Sequence, residues 1–351
     1  MAHTENSDDF FLDDAFEEAA ATPRKKRSKL RKVLIGLGVL VCIGVLAVAG
    51  VLFAQYQKFE SLKTFGDPFA ELTDRPTKEP TQEGKAEPVN FLILGSDSRI
   101  SAGDPEDWEP GAQRTDAILL LHISGDRRSI AMMSIPRDSW VDIEGVGKAK
   151  INAAFSYGGP SLTIQTVENL TGVKIDHFAL VDFTSFTKLT DLVGGVDLTT
   201  AAGTEHMSGD EALDFVRERY SLPNGDFDRV RRQQAWMKAV FQSLLKPDVL
   251  SSPSKLMDIY GALQEYISVD SNLSVNELVD LGTSLRNISS DDVVFLTAPY
   301  AGTGRSEDGQ SIVLLDDDQM AGLTEAFQED RVKEWVVTHP ELETLDSRPI
   351  E

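Results

Sequence analysis

The chain has 351 residues and a formal net charge of −23 at pH 7, and its patterning implies one globular domain of about 230 to 250 residues behind a long polar leader. That acidity excludes a general nucleic-acid binder, because phosphate-backbone recognition draws on a broad basic face and the positive charge here is confined to short segments. The single cysteine, Cys42, excludes an intrachain disulfide framework or a cysteine-rich zinc site, and none of the five histidines falls in HExxH spacing.

Residues 1–22 are acidic and contain no Lys or Arg, which predicts a disordered tail, and the basic stretch RKKRSKLRK (24–32) completes an N-terminal segment of residues 1–32. Residues 33–54, VLIGLGVLVCIGVLAVAGVLFA, are 22 uncharged and largely apolar positions. As a helix they would extend about 33 Å, enough to cross a hydrocarbon layer of about 30 Å. Seven Lys/Arg precede this run within 24–32 and three follow within 55–75, so the N-terminus is expected in the cytoplasm and residues 55 onward outside the cell membrane. Ala47-Val48-Ala49 resembles a signal-peptidase site, but the apolar run continues past it to Ala54, which favours a retained anchor. Residues 55–88 are expected to be an extracytoplasmic stalk, with four prolines within 66–88.

From Val89 the pattern turns to short apolar strands alternating with helices. VNFLILG (89–95), AILLLHI (117–123) and SIAMMSI (129–135) read as strands, the last two joined by the hairpin-like SGDRR. Their near-continuous apolar character implies a sheet covered on both faces. Helices are predicted over 161–172, starting after Pro160, and over 184–195, 208–219, 226–246, 274–288 and 317–330, with capping boxes Ser208/Glu211 and Ser274/Glu277 and a late strand at 293–299. The resulting order is that of an α/β domain with helices on both faces of a mixed sheet, spanning 89–330, with 331–351 expected as a C-terminal tail.

Against the acidic background, residues 215–234 hold Arg217, Arg219, Arg229, Arg231 and Arg232. On a helix opening at Asp226, Arg229, Arg232, Gln233 and Trp236 share one face and Arg231 points elsewhere. Unpaired N–H groups and the helix dipole favour an anion at such an opening, and the planar guanidinium fork suits phosphate oxygens. Solvated arginines compensating Glu218, Asp226 and Asp228 are the plainer alternative. For Arg217 and Arg219 to reach one ligand, the preceding helix must end near Arg219. Asp97 in LGSDSR (94–99) follows one strand and Asp116 in RTD (114–116) opens the next, so the two carboxylates are expected at one sheet edge, where with a phosphate they would suit Mg²⁺. Arg137 in SIPRD (134–138) is presented at another strand end, with Asp138 as a local salt-bridge alternative.

Taken together, LILGSDSR, RTDAILLL, SIPRDSWVDI, KINAAFSYGG, DLVGGVDL and FVRERYSLPNGDFDRVRRQQ resemble the LytR-CpsA-Psr family of cell-envelope proteins, in the family's order and over about residues 89 to 245. The resemblance implies an α-β-α sandwich with an apolar lipid tunnel. It also implies a membrane-anchored transferase moving an anionic glycopolymer from a polyprenyl-pyrophosphate carrier to peptidoglycan through a phosphodiester bond. By matched motif, Asp97 and Asp116 would hold Mg²⁺, and Arg137, Arg217, Arg219 and Arg229 would grip the pyrophosphate. Arg99, Arg114, Asp228, Arg232 and Gln233 occupy further motif positions, as do Lys150 and Asn152, the latter with helix capping as its plain alternative. Asp228 and a metal-bound water are both candidate general bases. Phe155, Phe178, Leu180, Phe183, Phe186, Leu189 and Val193 are tunnel candidates, with ordinary core as the alternative. The chain ends soon after the matched region, so the extra C-terminal domain of some members is not expected.

Three rival readings follow from the same residues. The first is a serine hydrolase with Ser98 as nucleophile and Asp176-His177 as its base pair. The second is a pyrophosphate hydrolase using the same cluster with water as nucleophile, and the third a membrane-tethered, non-enzymatic regulator of envelope synthesis.

Overall fold

A computed structural model describes residues 63–64, 66–78, 85–96, 115–218, 221–244, 252, 267–285, 288 and 292–351. The expected tail 1–32 and membrane span 33–54 lie outside the described residues, and among the described ones no helix is long and apolar enough to cross a membrane.

Along the chain, strands β1 (Lys63–Thr64), β2 (Val89–Ser96), β3 (Thr115–Ile123) and β4 (Ile130–Ser134) lead to a hairpin of β5 (Trp140–Ile143) and β6 (Gly147–Lys150). Helix α1 (Ala153–Thr171), β7 (His177–Asp182), α2 (Phe183–Leu192), a hairpin of β8 (Val196–Thr200) and β9 (Gly203–Met207), α3 (Gly209–Arg217) and α4 (Asp226–Leu244) follow. The chain continues through β10 (Ile267–Val269), α5 (Val275–Ser284), β11 (Val293–Thr297), a hairpin of β12 (Tyr300–Arg305) and β13 (Ser311–Leu315), α6 (Asp317–Gln328) and α7 (Val332–Thr338).

One mixed sheet organises these elements, in the order β1-β10-β7-β2-β3-β4-β11. The pairs β1/β10, β2/β7 and β4/β11 run parallel, and the others antiparallel. Alternate residues of each strand point to opposite faces, and here both sets are apolar. Phe91, Ile93, Leu119 and Leu121 pack with residues of α2, α3, α4 and α5, whereas Leu92, Leu94, Ile118 and Leu120 pack with α1, α6 and α7. The fold is therefore the expected α-β-α sandwich. Each fully buried large aliphatic or aromatic side chain contributes about 1.5–3 kcal/mol relative to exposure, so the two apolar layers dominate its stability.

Local chemistry explains most element ends. Gly172, at φ 61°, closes α1 and donates to the Glu168 carbonyl at 2.8 Å, as a left-handed C-terminal glycine does. The Ser208 amide and hydroxyl both donate to Glu211 Oε2, at 2.9 and 2.7 Å, fixing the start of α3. The expected helix start after Pro160 is only a restart. Helical structure already begins at Ala153, breaks at Gly158 and Gly159, and resumes at Pro160, whose missing N–H is no loss in a first turn.

Two boundaries differ from expectation. Much of the expected stalk belongs to the domain, because β1 pairs with β10, Phe69 and Leu72 join the α1 side of the core, and Arg75 Nη2 meets the buried Glu168 carboxylate at 2.6 Å. Lys78 Nζ reaches Asp176 at 2.7 Å. Nor is 331–351 a tail. Val332, Trp335, Val336 and Leu342 are buried against α1 and α6, and Leu345 and Ile350 are buried in the opposite layer.

Candidate anion-binding site

Strand register gathers the signature segments at one edge of the sheet. Ser96 pairs with Thr115 on one side and Asp182 on the other, so the end of β2, the start of β3 and the β7–α2 junction meet there. The β2/β3 register slips between Gly95, which faces Ala117, and Ser96, which faces Thr115, leaving Asp116 as the extra residue of a bulge. Bulges of this kind re-aim side chains beside functional sites. Asp97, Arg99, Arg114 and Arg219 lie outside the described residues, and the side chains of Asp116 and Phe183 are likewise not described.

β4 ends at the same edge, where Ile135 N donates to Ile118 O at 2.9 Å. The turn carrying Arg137 is then held from three sides. Asn152 N donates to Arg137 O at 3.2 Å, Val313 N to Asp138 O at 2.9 Å, and Lys150 Nζ lies 3.0 Å from Asp138 Oδ1. Asp138 is thus committed to Lys150, and Asn152, at the head of α1, makes no side-chain cap. Arg137 turns instead toward the opening of α4, with Nε 3.8 Å from Asp226 Oδ1.

Arg229, one turn into α4, lies 2.6 Å from the same Asp226 oxygen. Two guanidiniums from separate elements therefore meet over one carboxylate. Arg229 is buried, and Asp226 and Arg137 are partly exposed. At about 4 Å and an effective dielectric near 20, each added unit of anionic charge gains about 4 kcal/mol from each cation before desolvation.

α3 ends at Arg217, and Glu218 is extended, with ψ 135°, so the chain leaves helical geometry one residue before Arg219. Arg217 is exposed at that end. The intervening loop is tied down by Asp228, whose carboxylate accepts from Asn224 N at 2.9 Å and from Asn224 Nδ2 at 3.2 Å. Gly225, at φ 55°, supplies the left-handed residue that turns the chain into α4.

Several expected site residues serve elsewhere. Asp228, a candidate general base, is buried and salt-bridged to Arg348 Nη2 at 2.6 Å. Burial pushes its carboxyl up, but the Asn224 and Arg348 bonds outweigh this and hold it below the usual carboxylate range, the wrong direction for a base. Arg232 stacks over Phe215 and donates to the carbonyls of Phe215, at 3.0 Å, and Glu351, at 2.7 Å, so its fork is occupied by backbone. Gln233 is half-buried.

The tunnel candidates cannot line one channel. Phe155, Phe178 and Leu180 are 0% exposed in the α1 layer, whereas Phe186, Leu189 and Val193 lie in the α2–α5 layer, and the sheet separates the two groups. Strand alternation sets this, because Phe178 and Leu180 on β7 both point to the α1 face.

Ser98, the nucleophile of the serine-hydrolase reading, lies outside the described residues, and the base pair expected for it is engaged elsewhere. His177 pairs with Phe91, five residues along β2 from Ser96, which places it roughly 16 Å from that edge. Its ring bonds to Asp270 at 3.3 Å and Glu277 at 3.2 Å, while Asp176 serves Lys78 and Asn90 N. A cavity of about 830 Å³ opens at that far end among Lys78, Lys85, Asn90, Lys174, Asp330 and Arg331, with charge of both signs.

Sequence reasoning missed Asp226 as the shared partner of Arg137 and Arg229, and the group formed by Arg348, Glu343 and Tyr300. Tyr300 donates to Glu343 Oε2 at 2.7 Å and stacks on Phe227 of α4 at 4.2 Å. The spacing of Val332, Trp335 and Val336 at i, i+3 and i+4 was the available signal that the chain continues as packed structure beyond 330.

Known proteins resemble this chain along most of its length. LcpA of Corynebacterium glutamicum, a cell wall biosynthesis protein, is 28% identical over 69% of this chain and 55% of its own, so this chain spans about half of LcpA. The polyisoprenyl-teichoic acid–peptidoglycan teichoic acid transferase TagU of Bacillus cereus is 34% identical over 63% of this chain and 72% of its own. The crystal structure of B. subtilis TagV superposes with a TM-score of 0.57 at 25% identity, covering 70% of this chain and 98% of TagV. TagT bound to LI-WTA shares the fold, with a TM-score of 0.55 at 23% identity, covering 74% of this chain and 96% of TagT. A model of the LytR_cpsA_psr family matches residues 61–329, and the chain belongs to that family.

Proposed function

We propose that this chain is a glycopolymer phosphotransferase of the cell envelope, anchored by residues 33–54 with its domain outside the membrane. It would take an anionic polymer from a polyprenyl-pyrophosphate carrier and join it to a peptidoglycan sugar. The observation that carries this reading is the meeting of Arg137 and Arg229 over Asp226 at the strand ends. A diphosphate carries the charge that such a cluster, opened by a helix N-terminus, favours. TagU's name states a transfer of teichoic acid to peptidoglycan, and LcpA's a role in cell wall biosynthesis, which support the reading.

In the proposed step, a sugar hydroxyl oxygen attacks the phosphorus bound to the polymer. A new P–O bond forms, the bond from that phosphorus to the bridging oxygen breaks, and polyprenyl phosphate leaves with the electron pair. The hydroxyl proton passes to solvent or to a base other than Asp228, whose oxygens are already engaged. Arg137 and Arg229 would stabilise charge on the equatorial and departing oxygens, with Arg217 and Arg219 approaching from the end of α3 and Arg99 and Arg114 from the flanking segments.

Mg²⁺ is the cation we propose for the carboxylates of Asp97 and Asp116; the observation that favours a polar ligand there is the buried Thr115 hydroxyl, which has no hydrogen-bond partner among the described residues. When bound, it would neutralise phosphate charge. For a lipid tail we propose the layer of α2 and α4, which holds Phe186, Leu189 and Val193 on the same side of the sheet as the helix that carries Arg229.

The test is transfer of labelled polymer from its lipid carrier to peptidoglycan by the purified full chain. Arg137→Ala and Arg229→Ala are each expected to lower the rate by about 10²–10³. Unchanged rates would overturn the assignment, and phosphate release that ignores the acceptor would mark a hydrolase instead.

A further inference from the structure

The first two turns of α4 face two ways. Asp226 and Arg229 turn toward Arg137, while Phe227, Asp228, Arg231 and Arg232 turn toward Tyr300 and the segment 343–351. On that second side the grip is reciprocal. Arg231, 1% exposed, donates to the carbonyls of Thr344 at 2.5 Å, Leu345 at 3.1 Å and Arg348. Arg348 returns to α4, with Nη2 2.6 Å from Asp228 Oδ1 and 2.9 Å from Glu343 Oε1. The segment itself is fixed to the sheet, since Leu345 N donates to Phe295 O at 3.0 Å and Thr297 N to Glu343 O at 2.9 Å, with Leu345 and Ile350 buried.

We propose that Arg348 is a positioning residue for the anion site: by holding Asp228, it fixes the 221–225 loop and the first turn of α4, and so sets where Asp226 and Arg229 stand against Arg137. This deepens the proposed function and rests on it for the identity of the anion. The mechanical chain is short. Asp228 is the acceptor that ties Asn224 N and Nδ2 to the helix, and Arg348 is the cation that holds that buried carboxylate in place. Without Arg348 the Asp228 carboxylate is a buried charge lacking its main counter-ion, and it relieves this by turning toward water, which frees Asn224 and the entry to α4. A segment that supplies no residue to the Arg137–Asp226–Arg229 cluster thereby controls the site's geometry from behind the helix.

The test compares Arg348→Ala, Arg348→Lys and Arg348→Gln in the full chain, with Arg331→Ala as a control at the far end of the domain. Two measurements are made: hydrogen exchange of residues 221–230, and calorimetric binding of inorganic pyrophosphate. The expected result for Arg348→Ala is faster exchange in 221–230 with β4 and β11 unchanged, and affinity about tenfold weaker, as for residues that orient ligating groups. Lys, which keeps the charge, should restore most of the affinity, and Gln should not. Wild-type exchange in Arg348→Ala, or a loss of affinity equally shared by the Arg331 control, would overturn the proposal. If the wild type itself does not bind pyrophosphate, the proposed anion is wrong, and the exchange comparison still decides whether Arg348 positions the helix. Should the Ala variant not fold, the Lys and Gln pair carries the same comparison.

Discussion

Arg229 and Arg231 are two residues apart on α4, yet they should respond to truncation in opposite ways. Arg231 is buried, and its guanidinium satisfies backbone carbonyls of the 343–351 segment. Arg231→Ala leaves those acceptors without donors, each at about 1–3 kcal/mol where water cannot enter, and strands part of the Glu343 charge 4.0 Å away. Partial rehydration as the segment loosens brings the expected total to about 3–5 kcal/mol. For a domain of this size that lowers Tm by about 6 to 20 °C in differential scanning fluorimetry. Arg229→Ala removes a cation beside another cation and leaves Asp226 within 3.8 Å of Arg137, so its Tm loss should be the smaller of the two while transfer collapses. A shift below about 2 °C for Arg231→Ala would refute the structural role assigned to it. So would a variant that stays folded but loses pyrophosphate affinity as completely as Arg229→Ala.

His177 should make stability pH-dependent. Burial pushes its pKa down, but hydrogen bonds and charge from Asp270 and Glu277 outweigh this and raise it overall. Its contribution is therefore complete below about pH 6.5, the unfolded value, and is lost as pH rises through the raised folded value. The Tm gap between wild type and His177→Gln should narrow on raising the pH from 6, and a gap independent of pH would contradict the pairing. Gly209→Ala should cost about 1–3 kcal/mol by overpacking, because a Cβ there would stand 2.3 Å from the Thr187 carbonyl oxygen where α2 and α3 touch. An unchanged Tm would show that the two helices separate freely.

The sandwich was legible because its evidence is periodic. Strands such as VNFLILG carry apolar residues on both faces, and capping signals such as Ser208/Glu211 mark helix starts locally. The strand-end gathering was also legible, since residues just beyond the ends of parallel strands share an edge. What escaped were pairings with no local signature. Nothing in the spacing links Arg75 to Glu168 or Arg348 to Asp228, because each pair joins residues remote along the chain whose burial is decided by packing. The excess of arginines in 215–234 was read as one cluster, but a helix has several faces. Arg229 serves the strand-end edge, whereas Arg231 and Arg232 hold the chain's own last residues. The tunnel set failed for a related reason, since apolar residues on β7 and α1 belong to one side of the sheet and those on α2 to the other.

The most direct measurement is a crystal structure of residues 63–351 with a short-chain polyprenyl pyrophosphate. The account predicts diphosphate oxygens within hydrogen-bond distance of Arg137 and Arg229, at the edge where Ser96 meets Thr115. A diphosphate bound instead at the opposite end, among Lys78, Lys85 and Lys174, with Arg137 and Arg229 still closed on Asp226, would contradict it.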